Sequence, residues 1–434
     1  MSILRCLELA VKRVLIAILG PNAPRAIRRV AIRVGLSLFR RKRSVASPEM
    51  ILALPGRHVF FGYYDKTPFS QDGSKLLAAS VPAGQGAEGA SCDVGLFDLG
   101  SGEFRTLAKG AVWNWQQGCR LQWHPAREDW VIYNDAEHGS AVSRLLNVAT
   151  GRIETTHGVP VYDVDSHGRL AVSLDFARLH RHRPGYGYPI PGGASLADPC
   201  PKNDGVWILD LETGEARLGI SLLELAGVRP RPEMENSIHY VNHLSFNPSG
   251  SRFLFLHLWL DSAGRRWTRL VTSDAEGESI RALTNDGIVS HYCWLSETSI
   301  LVTWLREGFG MRYYSIADSA NPLVEPFEHE RLRKDGHPSP SPDGRSLITD
   351  TYPDSAGDQH LLWIHPGECV QEIGRYYSPL RFRGEVRCDL HPRWDRTGRR
   401  ICFDAVRSGR RALHVVQLPK PRAEAGSVER DHRP

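Results

Sequence analysis

The sequence predicts an all-β protein: a seven-bladed β-propeller with an N-terminal basic helical arm. Three observations carry that expectation. From about residue 50 onward, short apolar runs alternate with Asp-Gly, Ser-Gly and Thr-Gly turns, and no sustained helical period appears. One turn-and-strand motif recurs seven times at a spacing of about 50 residues, the length of a four-stranded blade. The last copy ends one strand short, while a strand-like segment, "MILALP", stands just before the first.

The N-terminal segment comes first. Eleven of the 54 Lys/Arg residues but only one of the 49 acids, Glu8, fall within residues 1–45, so the formal charge of +5 belongs to this arm and the rest is mildly acidic. Its uninterrupted apolar run, Val14–Leu19, is too short to span a bilayer. Pro24 after Ala23 and the arginines that follow are a poor context for signal-peptide cleavage. A basic amphipathic pair of helices lying on an anionic membrane surface fits the composition, the alternative being an arm packed on the body or on a partner. The basic character lacks interleaved stacking aromatics, which argues against nucleic acid as the partner. The eight cysteines form no C-x-x-C pair, and a chain this long needs no staples. Reduced thiols favour a cytoplasmic body, peripheral on the inner membrane, with the periplasm as the alternative. The expected layout is an arm over 1–45, a propeller over 46–420 and a disordered polar tail over 421–434.

The seven copies are "TPFSQDGSKLLAAS", "LQWHPAREDWVIYND", "YDVDSHGRLAVSL", "LSFNPSGSRFLFLHLW", "YCWLSETSILVTW", "PSPSPDGRSLITDTY" and "PRWDRTGRRICFDAV". Between the third and fourth lies an insertion, "RLHRHRPGYGYPIPGGASLADPCPKND", too rich in Gly and Pro to be strand and placed to fold over one end of a channel. Met50–Pro55 can supply the seventh blade with its outer strand by pairing with Arg411–Leu418, which removes the free sheet edge.

Aligning the copies on the turn glycine, or its equivalent, exposes a site. Four residues before it stands an aromatic in five copies: Phe69, Trp123, Phe246, Trp294 and Trp394. Seven residues before it stand Lys66, Arg120, Val161, His243, His291, His337 and His391. Equivalent positions in successive blades form a ring at the channel mouth, so four histidines and two cations converge there. Asp65, Asp163, Asn242, Asp335 and Asp389 are neighbours. A purely structural consensus would not swap to Lys66, Arg120 and Val161 while keeping its aromatic. Histidines among carboxylates suit a divalent ion such as Mn²⁺ or Zn²⁺. Several cations equally suit an anionic ligand such as an acidic oligosaccharide or polysaccharide, and Lys66, Arg120 and Arg183 are the candidates to bind it.

The repeats "SPDGRSLITDTYPD", "NHLSFNPSGSRFLF" and "DLHPRWDRTG" resemble TolB-like propellers, and most specifically the seven-bladed oligogalacturonate lyases, over about residues 50–418. The resemblance implies a channel histidine as base, an arginine beside it, and further histidines with a glutamine around a manganese-like ion. Carried over by position, it implies His243 as the base, Arg183 as the arginine, and His291, His337 and His391 as metal ligands. The glutamine has no clear equivalent, and Asp389 or Asp335 takes its place. The implied reaction is cleavage of a uronate-containing glycan by metal-assisted β-elimination. No G-x-S-x-G elbow, P-loop or paired-cysteine zinc site points elsewhere. The other classes are a non-catalytic propeller scaffold that binds polysaccharide or protein, and another glycan-active enzyme, a transferase or hydrolase, that uses the same ring.

Overall fold

In a computed structural model, residues 49–84, 91–192, 194–327 and 329–419 are described; the basic arm and the C-terminal tail lie outside them. These residues are mostly β, in five four-stranded antiparallel sheets and one of eight strands. The eight-stranded sheet divides at a single parallel bridge, Thr268 to Ile288, and each side holds four strands. Counting its halves separately gives seven four-stranded units in chain order, an arrangement consistent with a β-propeller. Each repeat copy contributes the inner part of one unit. In the fourth, for example, Ile238–Phe246 pairs with Arg252–Leu260, and Arg266–Asp274 follows outward.

The N-terminal strand closes the structure. Glu49–Leu52 pairs antiparallel with Leu413–Val416 at the outer edge of the seventh unit. The expected strand began at Met50 and ran to Pro55; the observed one stops at Leu52, because Leu54 to Gly56 make the turn into the first unit, with Gly56 at φ +68°. Glu49 adds side-chain bonds, accepting from His414 Nδ1 at 2.6 Å and from the Tyr376 hydroxyl at 3.2 Å.

The aromatic of the repeat has a definite task. The indole N–H of Trp123 donates to Pro68 O at 2.8 Å, that of Trp294 to Ser245 O at 3.1 Å, and that of Trp394 to Ser339 O at 3.0 Å. Each ties its unit to the preceding one and satisfies a buried indole. Thr67 Oγ1 donates to Trp394 O at 2.6 Å, which carries the same stitching from the seventh unit back to the first.

The insertion is not strand. It opens with a short α-helix, Phe176–His182, capped by Asp175, which accepts from the N–H groups of Ala177 and Arg178. Buried Arg178 donates to four carbonyls, those of His239, Ser195, Asp198 and Pro199, and so pins the segment to the fourth unit. Among the described residues no helix is long and apolar enough to cross a membrane, and the cysteines are free.

Candidate metal centre and channel site

The four register histidines come together. Ring centroids lie 6.3 Å apart for His243 and His291, 4.1 Å for His291 and His337, and 4.4 Å for His337 and His391. Tyr63 completes the circle, stacked on His243 at 4.7 Å and edge-on to His391 at 4.8 Å. It reaches the centre because the inner strand of the first unit breaks after Phe60 and resumes only at the Phe69 bridge, so Gly62 to Lys66 cross the channel. Gly62 adopts φ +136°, and a Cβ there would lie 2.8 Å from Gln117 O; only glycine fits this crossing.

The backbone is strained at the same register position. Arg120, His243 and His391 sit at φ of 52°, 57° and 45°. Left-handed backbone is uncommon for residues with a side chain and costs on the order of 1 kcal/mol each. Beside His243 and His291 the strand pairing also slips, between Asn242 and Ser245 and between Val289 and His291. Such bulges turn a side chain away from its regular direction, here toward the channel.

Two of the rings are prepared in the same way. His337 Nδ1 lies 2.7 Å from Asp350 Oδ1, and His391 Nδ1 lies 2.9 Å from Gly62 O. A carboxylate and a carbonyl can only accept, so both Nδ1 atoms carry hydrogen. Both Nε2 atoms are then left buried without a hydrogen-bond partner. They converge with a carboxylate oxygen of Asp389, all three donor atoms lying within 4.8 Å of one another. Buried nitrogen lone pairs without partners are costly, and outer-shell acceptors that fix a ring's tautomer are the mark of metal-ligating histidines. The donor set of two imidazoles and one carboxylate therefore fits a divalent transition ion. Asp350 braces both residues, since its Oδ2 also accepts from the backbone N–H of His391 at 3.0 Å. Burial works against charge on His337, but Asp350 outweighs it and holds the ring above its ordinary value. His391, desolvated and near His337 and Arg393, falls well below.

His291 stands outside that group. Its Nδ1 donates to Asp335 Oδ1 at 2.9 Å, and Asp335 is fixed in turn by Thr303 Oγ1 at 2.8 Å and Ser290 Oγ at 2.6 Å. Burial outweighs Asp335 and lowers the pKa of His291 below its ordinary value. No hydrogen bond to its Nε2 is present among the described residues. His243 is enclosed instead. Its Nε2 meets Tyr63 Oη at 3.3 Å and Asn242 Nδ2 at 3.2 Å, and its Nδ1 meets Tyr162 Oη at 3.3 Å and Gln117 Nε2 at 3.4 Å. Burial, then His291 and Arg183, push its pKa well below the ordinary value.

The cations of the register are spent on structure. Lys66 pairs with buried Asp163, whose other oxygen accepts from the Phe246 N–H at 2.8 Å. Arg120 bonds Asp65 at 2.6 Å and Tyr162 O at 2.8 Å. Val161 is wholly buried. Arg183 does reach the site: its guanidinium lies 4.5 Å above the Tyr186 ring, and its Nε is buried without a partner. Arg387 joins it, donating to Asp389 Oδ2 at 2.6 Å and to the Tyr186 hydroxyl. Of the two insertion tyrosines, Tyr186 faces the channel. Tyr188 stacks on Phe176 at 4.4 Å and accepts from Asn134.

Several participants escaped the sequence reading. Tyr63 and Tyr64 stand beside Lys66 in "GYYDK" but outside the repeat alignment, and Asp350 ends a strand as an ordinary "TD". Gln117, with its Oε1 buried and without a partner, lies before the second copy where no repeat position marks it. Arg387 was legible only as one more surface-type cation.

No family model matches the sequence, and no curated protein is significantly similar to it. Solved structures are. An oligogalacturonate lyase in complex with manganese superposes with a TM-score of 0.64 at 17% identity, over 88% of this chain and 96% of that one. An oligogalacturonate lyase from Vibrio parahaemolyticus superposes with a TM-score of 0.58 at 13% identity, over 86% and 94%. TolB from Acinetobacter baumannii aligns more loosely, with a TM-score of 0.36 at 12% identity, over 92% and 71%. At such identities the likeness is one of fold, and the fold is a β-propeller.

Proposed function

We propose that this chain is a seven-bladed propeller whose channel houses a metal-assisted lyase, one that cleaves a uronate-containing glycan by β-elimination. The observation that carries the reading is the pair of buried, partnerless Nε2 atoms of His337 and His391, converging with Asp389. These three residues would hold a divalent ion; manganese is the ion of the superposed lyase structure, and zinc suits the same donors. When bound, the ion supplies positive charge against the negative charge that grows on the uronate carboxylate as the neighbouring C–H bond breaks.

The base must present a neutral imidazole nitrogen with a free lone pair. The register and the resemblance assign that role to His243, with His291 as a ligand. The geometry favours His291 as the base and leaves His243 out of both roles. His291 is oriented by Asp335 through Nδ1, which leaves Nε2 as the acceptor, whereas both nitrogens of His243 already face polar partners. His243 then serves as a wall, locking Tyr63, Tyr162 and Gln117. Arg183 provides the unpaired charge for an acidic ligand, and Lys66 and Arg120 take no part in the chemistry.

The test joins metal analysis of the purified full chain to an ultraviolet assay for unsaturated uronate, using oligogalacturonate as the first substrate. The expected result is close to one divalent ion per chain and a rise in absorbance that disappears in His291→Ala. A metal-free wild type that generates no unsaturated product would make the scaffold reading the better one. The reading also includes a cytoplasmic body held to an anionic membrane by residues 1–45.

A further inference from the structure

Tyr186 is held by its backbone and by its hydroxyl. Its N–H donates to Arg183 O at 3.3 Å, and its own carbonyl accepts from Asn114 Nδ2 at 2.8 Å. The ring stands edge-on to His243 at 5.6 Å and to Tyr63 at 6.5 Å, so it forms part of the channel wall. The residue is 2% exposed.

The hydroxyl is in an unusual position for a buried phenol. Arg387 and Arg183 both direct guanidinium N–H groups at its oxygen. Guanidinium has no acceptor, so the oxygen accepts both bonds. Its own hydrogen has no acceptor among the described residues, although buried tyrosines ordinarily find one. A phenol whose oxygen is bound by two cations, and whose proton is committed to nothing, is arranged to give that proton away. We propose that Tyr186 is the general acid that protonates the leaving oxygen, a role that rests on the elimination reading above.

The electrostatics agree. Burial would raise the phenol, but Arg387 and Arg183 outweigh both burial and the opposing charge of Asp389, and the pKa lies below its ordinary 10.0. The neighbouring channel tyrosines Tyr63, Tyr64 and Tyr352 move the other way, raised well above 10.0 first by burial. The step balances. The base takes the proton next to the carboxylate, and the electron pair of that C–H bond becomes the new carbon–carbon double bond. The C–O bond to the departing sugar breaks, its oxygen keeps the pair, and the Tyr186 proton makes it a hydroxyl. The phenolate left behind is stabilised by the two guanidiniums and recovers a proton from water.

The experiment compares wild type and Tyr186→Phe, both as metal-loaded full chains, on two substrates. Oligogalacturonate releases a sugar hydroxyl, which needs a proton; a 4-deoxy-4-fluoro-galacturonide releases fluoride, which does not. The proposal expects Tyr186→Phe to lose about 100-fold or more in kcat on the first, the range of general acid catalysis, and to stay within about tenfold on the second. Equal losses on both substrates would make Tyr186 a brace for Arg183 and Arg387 and overturn the proposal; no loss on either would overturn it too. A wild type inert on both substrates defeats the elimination reading itself, and the acid role with it. Spectrophotometric titration covers the case in which the variant folds poorly. The wild type should show one tyrosine ionising below the ordinary range, and the proposal fails if none does.

Discussion

The two sides of the channel use one register position in opposite ways. In the first three units it holds Lys66, Arg120 and Val161: two charges neutralised by Asp163 and Asp65, and an apolar residue buried in the core. In the last four it holds histidines, of which two keep a buried nitrogen without a partner and a third is aimed by a carboxylate. Salt bridges between units lock the first side. The second side is held from outside the ring positions, by Asp350, Asp335 and Gly62 O, and the Nε2 atoms of His337 and His391 keep no hydrogen-bond partner. Repetition brings side chains to one place; whether they become structure or chemistry depends on whether a partner waits there.

The largest expected effect comes from breaking the structural side. Arg120→Met leaves the partly buried Asp65 without its hydrogen-bonded cation and should cost about 3 kcal/mol in denaturant unfolding, with metal content unchanged in the folded fraction. A variant that lost metal but kept its stability would erase the distinction between the sides. His391→Ala should do the converse: metal affinity falls more than about 100-fold, beyond the range of outer-shell changes, while the unfolding midpoint barely moves because Trp394 still staples the sixth and seventh units. Calorimetric titration with Mn²⁺ beside a melting curve reads both.

Asp350→Asn should weaken the ion about 10–100-fold without removing a ligand. Its pH signature has a definite sign. Asp350 raises the pKa of His337, and the ion needs a neutral Nε2, so affinity falls as pH drops through that raised value. The Asn variant should bind more weakly at its plateau and yet lose metal only at lower pH.

A smaller effect lies in the sixth unit. His360, bonded first to Asp354 and then to Glu372, has its pKa raised to about 9. Because the folded value exceeds the ordinary 6.5, this contribution to stability is complete below about pH 6.5 and is lost as pH rises through 9. His360→Gln should therefore cost about 1 kcal/mol at pH 6, its exposure limiting the pair, and close to nothing at pH 10, as read by unfolding at the two pH values. The smallest change to the body should come from removing residues 1–45: sedimentation with anionic vesicles should fall and become insensitive to salt, while the melting curve of the body stays in place.

Much of this was open to reading in the linear chain. A strand alternates faces and a turn needs glycine or aspartate, so the repeat and its register were legible, and with them the meeting of His243, His291, His337 and His391. The incomplete seventh copy led to its closing strand, though the strand's end was misplaced by the turn at Gly56. Roles within the ring were not legible, because they depend on the second nitrogen of each imidazole. Asp350, Asp335 and Gly62 belong to other strands or to the crossing loop, and no repeat position marks them. Arg120 and His391 share register and left-handed backbone, yet one faces Asp65 and the other keeps a buried Nε2 without a hydrogen-bond partner.

By itself, then, the sequence determined the period, and the period determined which side chains arrive at the channel mouth, because local turn and strand preferences act on near neighbours. Which of them were neutralised, which were aimed, and which kept a lone pair free was decided only by the tertiary structure. Those outcomes rest on contacts between residues far apart in the chain: Gly62 with His391, Asp65 with Arg120, and Tyr186 with Arg387.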